Sequence, residues 1–441
     1  MKSLKYLFLL AAAAALLSAC GSSRYHDPDL TAAFAMESTA KDGAAGGEAA
    51  QADGEGGSGG EISGGGGNAA GESSADEEIS SGDGENTSGS EILSGDGDNS
   101  AANTSNSGIS GSNSDPAEEN SSSVDLLFSG DIYLSDHVLN AYDKAGGISG
   151  VLDEGFRTAI SEADYFAGNQ EFPFSSRGQA APDKQYTFRL PESRVPIMNE
   201  IGTNLVTLAN NHTLDFGTDA MLDTISALDS AEILHVGAGA NSEEARKPQI
   251  VDVGGIRVGF IGASRVIPVA SWTAGASSPG LLTAYDPALL VQTIEETRPL
   301  CDYLVVLIHW GVERAEMPVD HQTSLGRRCI DAGADLVVGS HPHVLQGIEY
   351  YSGKPIVYSL GNFIFGSSIP RTALLKLTLS EDGSEPHLSL LPGTSSAGYT
   401  RMLTDAAEKE SFYQYMESIS FDISIDENGV IHPAAPQSED N

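Results

Sequence analysis

The stretch "DLVVGSHPHVLQG", Asp335 to Gly347, decides how this chain is read. Its "LVV" is a short apolar run of the kind a buried strand makes, and Gly339-Ser340 marks the end of that strand. His341 and His343 follow at the exit, with Pro342 stiffening the link between them. Two imidazoles held that close either share a bound object or belong to a buried polar network. The rest of the chain bears on the choice, because strand after strand ends in a residue that can hold a metal. "VDLLFSGD" ends on Asp131, and Glu171 follows "DYFAGN". "NLVTLANNH" ends on Asn211 and His212, and "CDYLVVLIHWG" carries His309 at its end. Open α/β sheets place ligand sites outside the carboxyl ends of their strands. Carboxylate, amide oxygen and imidazole together suit a divalent cation of hard to borderline character. The alternative is a polar cluster that closes one end of a sheet through hydrogen bonds alone.

Helical segments separate these strands. "LPESRVPIMNEIG" is helical after its Pro and stops at Gly202, and "DAMLDTISALDSAE" sets Met221, Leu222, Ile225 and Leu228 on one side. "DPALLVQTIEETRPL" predicts a helix with Asp286 as N-cap and Pro287 at the first position. "QTSLGRRCIDAG" is another helix, and "QIVDVGGIRVGFIGAS" is a hairpin that turns at Gly254-Gly255. "TALLKLTLS", "HLSLLPG" and "ISFDISIDENGVIHP" read as late β hairpins. Strand and helix in alternation over residues 124–441 predict an α/β fold with added antiparallel strands, on a chain long enough for a sizeable core.

The N-terminal part is a different material. Residues 1–20, "MKSLKYLFLLAAAAALLSAC", have the charged start and short apolar stretch of a targeting segment. "LSAC" followed by "GSS" resembles the lipobox of bacterial lipoproteins, which implies cleavage before Cys20 and lipid on its sulfur. An ordinary secretory signal is the alternative; either one places the protein outside the cytoplasm. Residues 21–123 are dominated by Gly, Ser, Ala, Asn, Asp and Glu. Such a composition buries too little apolar surface to offset chain entropy, so a disordered acidic tether is expected. The chain's net charge is −39. With no basic patch, nucleic acid is excluded as an expected partner, and an anionic substrate would need a local positive centre such as a metal. Cys301 and Cys329 sit beside apolar runs and read as two buried thiols, or as one disulfide in an oxidising compartment.

"FSGDIYL", "GNQEFPF", "LANNHTLDFG", "IHWGVE", "GSHPHVLQGIE" and "YSLGNFIF" occur in that order between Val124 and Phe365. With them the chain resembles the CapA-type capsule (poly-γ-glutamate) synthesis protein family. The resemblance implies the calcineurin-like metallophosphoesterase fold, a sandwich of two β-sheets flanked by helices. It implies a ligand set of Asp131, Glu171, Asn211, His309, His341 and His343, with Glu171 bridging where the phosphoesterases use Asp. His212 would be the outer acid, and Asp215 would orient it or act as a further acid. Tyr133 stands where the phosphoesterases carry a His, so the resemblance is compatible with one divalent ion or two, with Mn, Zn, Fe and Mg undistinguished. His137, six residues after Asp131, is an alternative donor.

The implied function is that of a surface-anchored capsule synthesis protein, a metal-dependent hydrolase or transferase acting on an anionic polymer or ester. The alternative is a non-catalytic accessory protein that binds the polymer or the membrane synthase complex. The implied partners are the membrane through Cys20, an anionic polymer such as poly-γ-glutamate, and membrane capsule-synthesis proteins. The chain has no P-loop, so it cannot be an ATP-driven ligase by itself. The expected organisation is a leader over 1–20, a tether over 21–123, the metallophosphoesterase-like domain over 124–366, and a β extension of the same domain over 367–441 that ends in a disordered tail.

Overall fold

Apolar runs bounded by turn residues become strands that are buried on both faces, as sheets covered on both sides require. The computed structural model describes residues 123–366 and 368–434. The expected leader, Cys20, the tether and the end of the C-terminal tail lie outside the described residues.

In the first sheet, β1 (Ser123–Ile132), β2 (Tyr165–Gln170), β3 (Leu205–Thr207) and β4 (Leu234–Val236) run parallel. Next in chain order come β5 (Ala238–Gly239), which pairs with β8 (Gly280–Leu281), and the hairpin of β6 (Gln249–Val253) and β7 (Ile256–Ser264). β9 (Tyr303–His309), β10 (Leu336–Ser340), β11 (Leu345–Tyr351) and β12 (Lys354–Leu360) complete the second sheet, in the order β11-β12-β10-β9-β7-β6. β13 (Asn362–Ile364) returns to pair with the end of β1. β14 (Ser368–Ser380), β15 (His387–Ser396) and β16 (Tyr399–Met402) then widen the first sheet to β16-β15-β14-β1-β2-β3-β4. β17 (Ile423–Ile425) and β18 (Ile431–Pro433) form the last hairpin.

The sheets pack face to face. Leu126, Phe128 and Ala167 of one meet Phe260, Val305, Leu307, Val338 and Val357 of the other, all buried. Helices α1 (Asp136–Ala145), α2 (Glu154–Glu162), α3 (Pro196–Ile201) and α4 (Thr218–Ser230) cover the first sheet, burying Val138, Phe156, Met198 and Met221 against Leu127, Phe166 and Val206. Helices α5 (Ser242–Ala245), α6 (Ala288–Thr297) and α7 (Asp320–Asp331) cover the second, with Leu290, Ile294, Leu325 and Cys329 against Val306 and Ile356. Helix α8 (Ala406–Ser418) inserts Phe412, Tyr413 and Met416 into the core between the sheets. The expected sandwich of two sheets flanked by helices is therefore the fold observed.

Several expectations change in detail. "NLVTLANNH" is a strand only over Leu205–Thr207, because Asn210 and Asn211 are committed to side-chain bonds in the turn that follows. The helix after Asp286 starts at Ala288 with Pro287 as its cap residue, while Asp286 Oδ1 accepts from the Ala288 amide at 3.0 Å. Helices α2 and α8 were not expected from the residues, nor was strand β11. The C-terminal segment belongs to the same sheet, since β14 pairs antiparallel with β1 from Ser123↔Ser380 to Phe128↔Leu375. Cys301 and Cys329 are both buried free thiols. Among the described residues no helix is long and apolar enough to cross a membrane.

Candidate metal centre

The strand ends meet because the registers align them. Asp131 on β1 stands opposite Asn169 on β2 and Asn362 on β13, and His309 on β9 stands opposite Ser264 and Ser340. The approach of β1 to β13 needs glycine. A Cβ on Gly130 would lie 1.8 Å from the Gly361 carbonyl oxygen, and the Asp131 amide donates to that same oxygen at 2.7 Å. His341 and His343 take positive φ angles of 100° and 59°. Non-glycine residues accept such angles only where the surroundings over-determine them, at a cost of roughly 1–3 kcal/mol each. Here the His341 amide faces Asp131 Oδ1 at 3.4 Å, and the Pro342 carbonyl accepts from the Arg314 amide at 2.7 Å.

All six expected ligands converge. Asp131, Glu171 and His309 are fully buried, and one donor atom of each lies within 4.8 Å of the others. His309 Nε2 is 2.9 Å from Asn211 Oδ1 and 3.4 Å from Glu171 Oε1. The His341 ring centroid is 4.7 Å from that of His309. His343 Nδ1 is 3.1 Å from Asp131 Oδ2. Three buried atoms in this cluster have no hydrogen bond: Asp131 Oδ2, Glu171 Oε2 and His341 Nδ1. A buried polar atom without a partner costs about 1–3 kcal/mol, more if charged. Two buried carboxylates, three imidazoles and an amide oxygen with lone pairs left over are the donor set a divalent cation satisfies.

The electrostatics point the same way. Burial pushes the Glu171 carboxyl well up, and Asp131 beside it adds to the effect. Burial also holds His309 and His341 well below the usual imidazole value, so both present neutral rings. Burial opposes a charge on His343, but Glu171 and Asp131 outweigh it and push that ring up to about 10. The carboxylate charge thus attracts a positive partner.

His212 and Asp215 sit beside the cluster. Asp215 Oδ2 is 2.8 Å from His212 Nδ1 and accepts from the Phe188 amide at 2.6 Å, so Asp215 orients the ring. Phe188 stacks on that ring at 4.1 Å between centroids. Tyr133 stacks on the other side of Phe188 at 3.9 Å, and Phe365 closes the aromatic wall against Tyr133 and His343. Tyr133 therefore serves packing here. His137 is exposed on α1, in contrast to the buried cluster.

Residues 125–367 match the family model described as bacterial capsule synthesis protein PGA_cap. The chain belongs to this family. It is 33% identical over 299 residues to the capsule biosynthesis protein CapA of Bacillus anthracis, covering 65% of this chain and 71% of that protein. It is 33% identical over 262 residues to the PGA biosynthesis protein CapA of Bacillus subtilis, covering 58% and 68%. A probable polyglutamine synthesis accessory protein of Mycobacterium tuberculosis is 34% identical over 206 residues, covering 44% and 54%. Among solved structures, a Mycoplasma pneumoniae phosphatase aligns with a TM-score of 0.40 at 10% identity, over 67% of this chain and 99% of that one. A 5'-nucleotidase of Candida albicans aligns at 0.36 and 11% identity, over 61% and 51%.

In this PGA_cap chain, four supporting side chains went unread in the sequence. Asn169 is the hub: its Nδ2 donates to Asp131 Oδ1 at 2.8 Å, lies 3.2 Å from Glu171 Oε1 and 3.3 Å from His309 Nδ1. Asn210 donates to Asn169 Oδ1 at 3.0 Å and accepts from the His212 amide at 3.0 Å. Asn362 lies 2.8 Å from His343 Nδ1. Lys184, largely buried, donates to the Asp215 carboxylate and to the Asn211 carbonyl. Gly168-Asn169 and Gly361-Asn362 repeat the Gly130-Asp131 pattern at strand ends and were legible as such. Lys184 lies in a loop with no pattern to single it out.

Proposed function

We propose that this PGA_cap protein is a lipid-anchored, extracytoplasmic capsule synthesis protein whose strand-end cluster holds one or two divalent cations and acts on an anionic polymer or ester. The observation that carries the reading is the convergence of six buried or half-buried donors, three of their atoms without a hydrogen bond. Asp131, Glu171, Asn211, His309, His341 and His343 would hold the cations, and Asn169 and Ser340 orient Asp131 and His309 from behind. A divalent cation in such a site supplies Lewis acidity toward a phosphoryl or carbonyl oxygen and makes water a stronger nucleophile at neutral pH.

The chain's own residues then do the proton work. Asp215 accepts from His212 Nδ1, which leaves the lone pair on Nε2. Burial keeps this ring neutral by lowering its pKa, against the pull of Asp215. His212 therefore takes a proton at Nε2 before it can deliver one to a leaving group. Lys184, held by Asp215, places a positive charge beside the pair and favours anionic groups. The names of the relatives, PGA and capsule biosynthesis proteins, support an anionic polymer as the substrate class. The lipobox-like "LSAC" and acidic tract support a membrane anchor on a tether, with membrane synthase proteins as partners.

The test is elemental analysis of the purified protein against a His341→Ala/His343→Ala double variant, with turnover of a generic phosphodiester and of an amide substrate. Bound divalent metal that the double variant loses, with its circular dichroism unchanged, supports the cation site. Turnover that disappears with the metal supports catalysis. Metal without turnover of either substrate favours a binding role, and a metal-free wild type removes the reading.

A further inference from the structure

Asn362 is drawn to the cluster by the backbone rather than by any feature of its own. It opens β13 just after Gly361, whose φ is 58°, and its register partner on β1 is Asp131. Its Oδ1 lies 2.8 Å from His343 Nδ1, and Asp131 Oδ2 lies 3.1 Å from that same nitrogen. One ring N–H has a single hydrogen and can be shared between two acceptors only as a weaker three-centre bond. Asp131 Oδ2 is indeed left without a hydrogen bond. Two oxygens crowded within 3.1 Å of one ring nitrogen have another natural occupant. Donors about 2.0–2.2 Å from one cation and at right angles to each other are separated by ~3 Å.

A second set repeats the spacing elsewhere in the cluster. His309 Nε2 is 2.9 Å from Asn211 Oδ1 and 3.4 Å from Glu171 Oε1, with His341 alongside. The two sets are joined through Asn169, which touches Asp131, Glu171 and His309.

We propose that Asn362 is a ligand through Oδ1, and that with Asp131 and His343 it forms a second divalent-cation position beside the one formed by Asn211, His309, His341 and Glu171. This assignment rests on the metal-centre reading above and makes the centre binuclear. A neutral amide oxygen in this place adds a donor without adding to the negative charge of two buried carboxylates.

The experiment is Mn2+ titration of the metal-free protein by calorimetry, with electron paramagnetic resonance to detect a coupled pair of ions. The variants are Asn362→Ala, Asn362→Leu and Asn362→Asp, with thermal melts of each metal-free form as the folding control. The wild type should take two equivalents and show the coupled signal. Asn362→Ala and Asn362→Leu should take one, with the second weakened by at least ~100-fold and the coupled signal lost. That exceeds the ~10–100-fold expected if Asn362 merely oriented His343 from outside. Asn362→Asp, which keeps the oxygen, should retain both ions. Two equivalents bound by a folded Asn362→Ala or Asn362→Leu variant, with the second weakened by less than ~100-fold, would overturn the assignment. A wild type that takes one ion would overturn it too, while leaving the metal-centre reading standing; a wild type that takes none would overturn both.

Discussion

His343 is the residue at which the cluster's charges meet. It is the one imidazole here whose pKa rises, because Glu171 and Asp131 outweigh its burial. The metal-free fold therefore binds a proton that the unfolded chain, with an imidazole near 6.5, gives up. This contribution to stability is complete below about 6.5 and is lost as pH rises through about 10. Glu171 acts in the same sense: burial first and Asp131 second raise its pKa, so its ionisation as pH rises costs stability. The metal-free protein should accordingly melt at a lower temperature near pH 10 than near pH 6. Saturating divalent cation should narrow or reverse that difference, because the cation takes the place of the protons. Differential scanning calorimetry at both pH values, with and without Mn2+, measures this. A metal-free melting temperature that climbs over the interval would contradict the charge balance assigned to His343 and Glu171.

Single elements aim these residues, and the tightest junction is between β1 and β13. Gly130 and Gly361 touch backbone to backbone, so the two strand ends approach more closely than any side chain permits. Gly130→Ala would drive a methyl into the Gly361 carbonyl, and no flexible side chain is available to yield. The expected result is a loss of roughly 1–3 kcal/mol or more in urea unfolding, together with weaker metal binding, because Asp131 and Asn362 are the residues that follow. A Gly130→Ala variant with wild-type stability and wild-type metal content would show that the junction is looser than described. The element scale also explains what could be read in advance. The strands carrying Asp131, His309 and His341 were legible because their apolar runs and closing glycines are local signals. Helix α8, "AAEKESFYQYMES", was missed because its buried Phe412, Tyr413 and Met416 sit among charged residues. Strand β11 was missed because "LQGIEYY" mixes polar and apolar residues; its Gln346 and Glu349 are buried but bonded, to Gln322 and to Arg327 and Tyr358.

On the scale of the whole molecule, the segment after the family match is part of the core. The match ends at residue 367, yet β14 supplies the neighbour of β1, the strand that carries Asp131. Leu375, Leu377, Leu388 and Leu390, with Phe412 and Met416 of α8, are all buried between the sheets. A chain cut after residue 367 would expose one edge of β1 along Ser123–Phe128 and strip one side of the inter-sheet core. It should aggregate or lack a cooperative melt, whereas a chain ending at residue 434 should melt as the full-length protein does. A soluble, cooperatively melting chain ending at 367 would show that the later strands are an accessory layer.

The sequence by itself determined the kinds of donor and their positions at strand exits, and it determined the alternation that makes a sheet covered by helices. Those features are written in short windows, as apolar runs, breakers and the residue that follows them. Which atoms come within 3 Å of one another was decided only by the tertiary structure. Asn169, Asn362 and Lys184 joined the cluster through strand register, the stacking of two sheets and the path of a loop. Each of these depends on contacts between residues far apart in the chain, so the Gly-Asn pairs legible at strand ends did not by themselves show what they would touch.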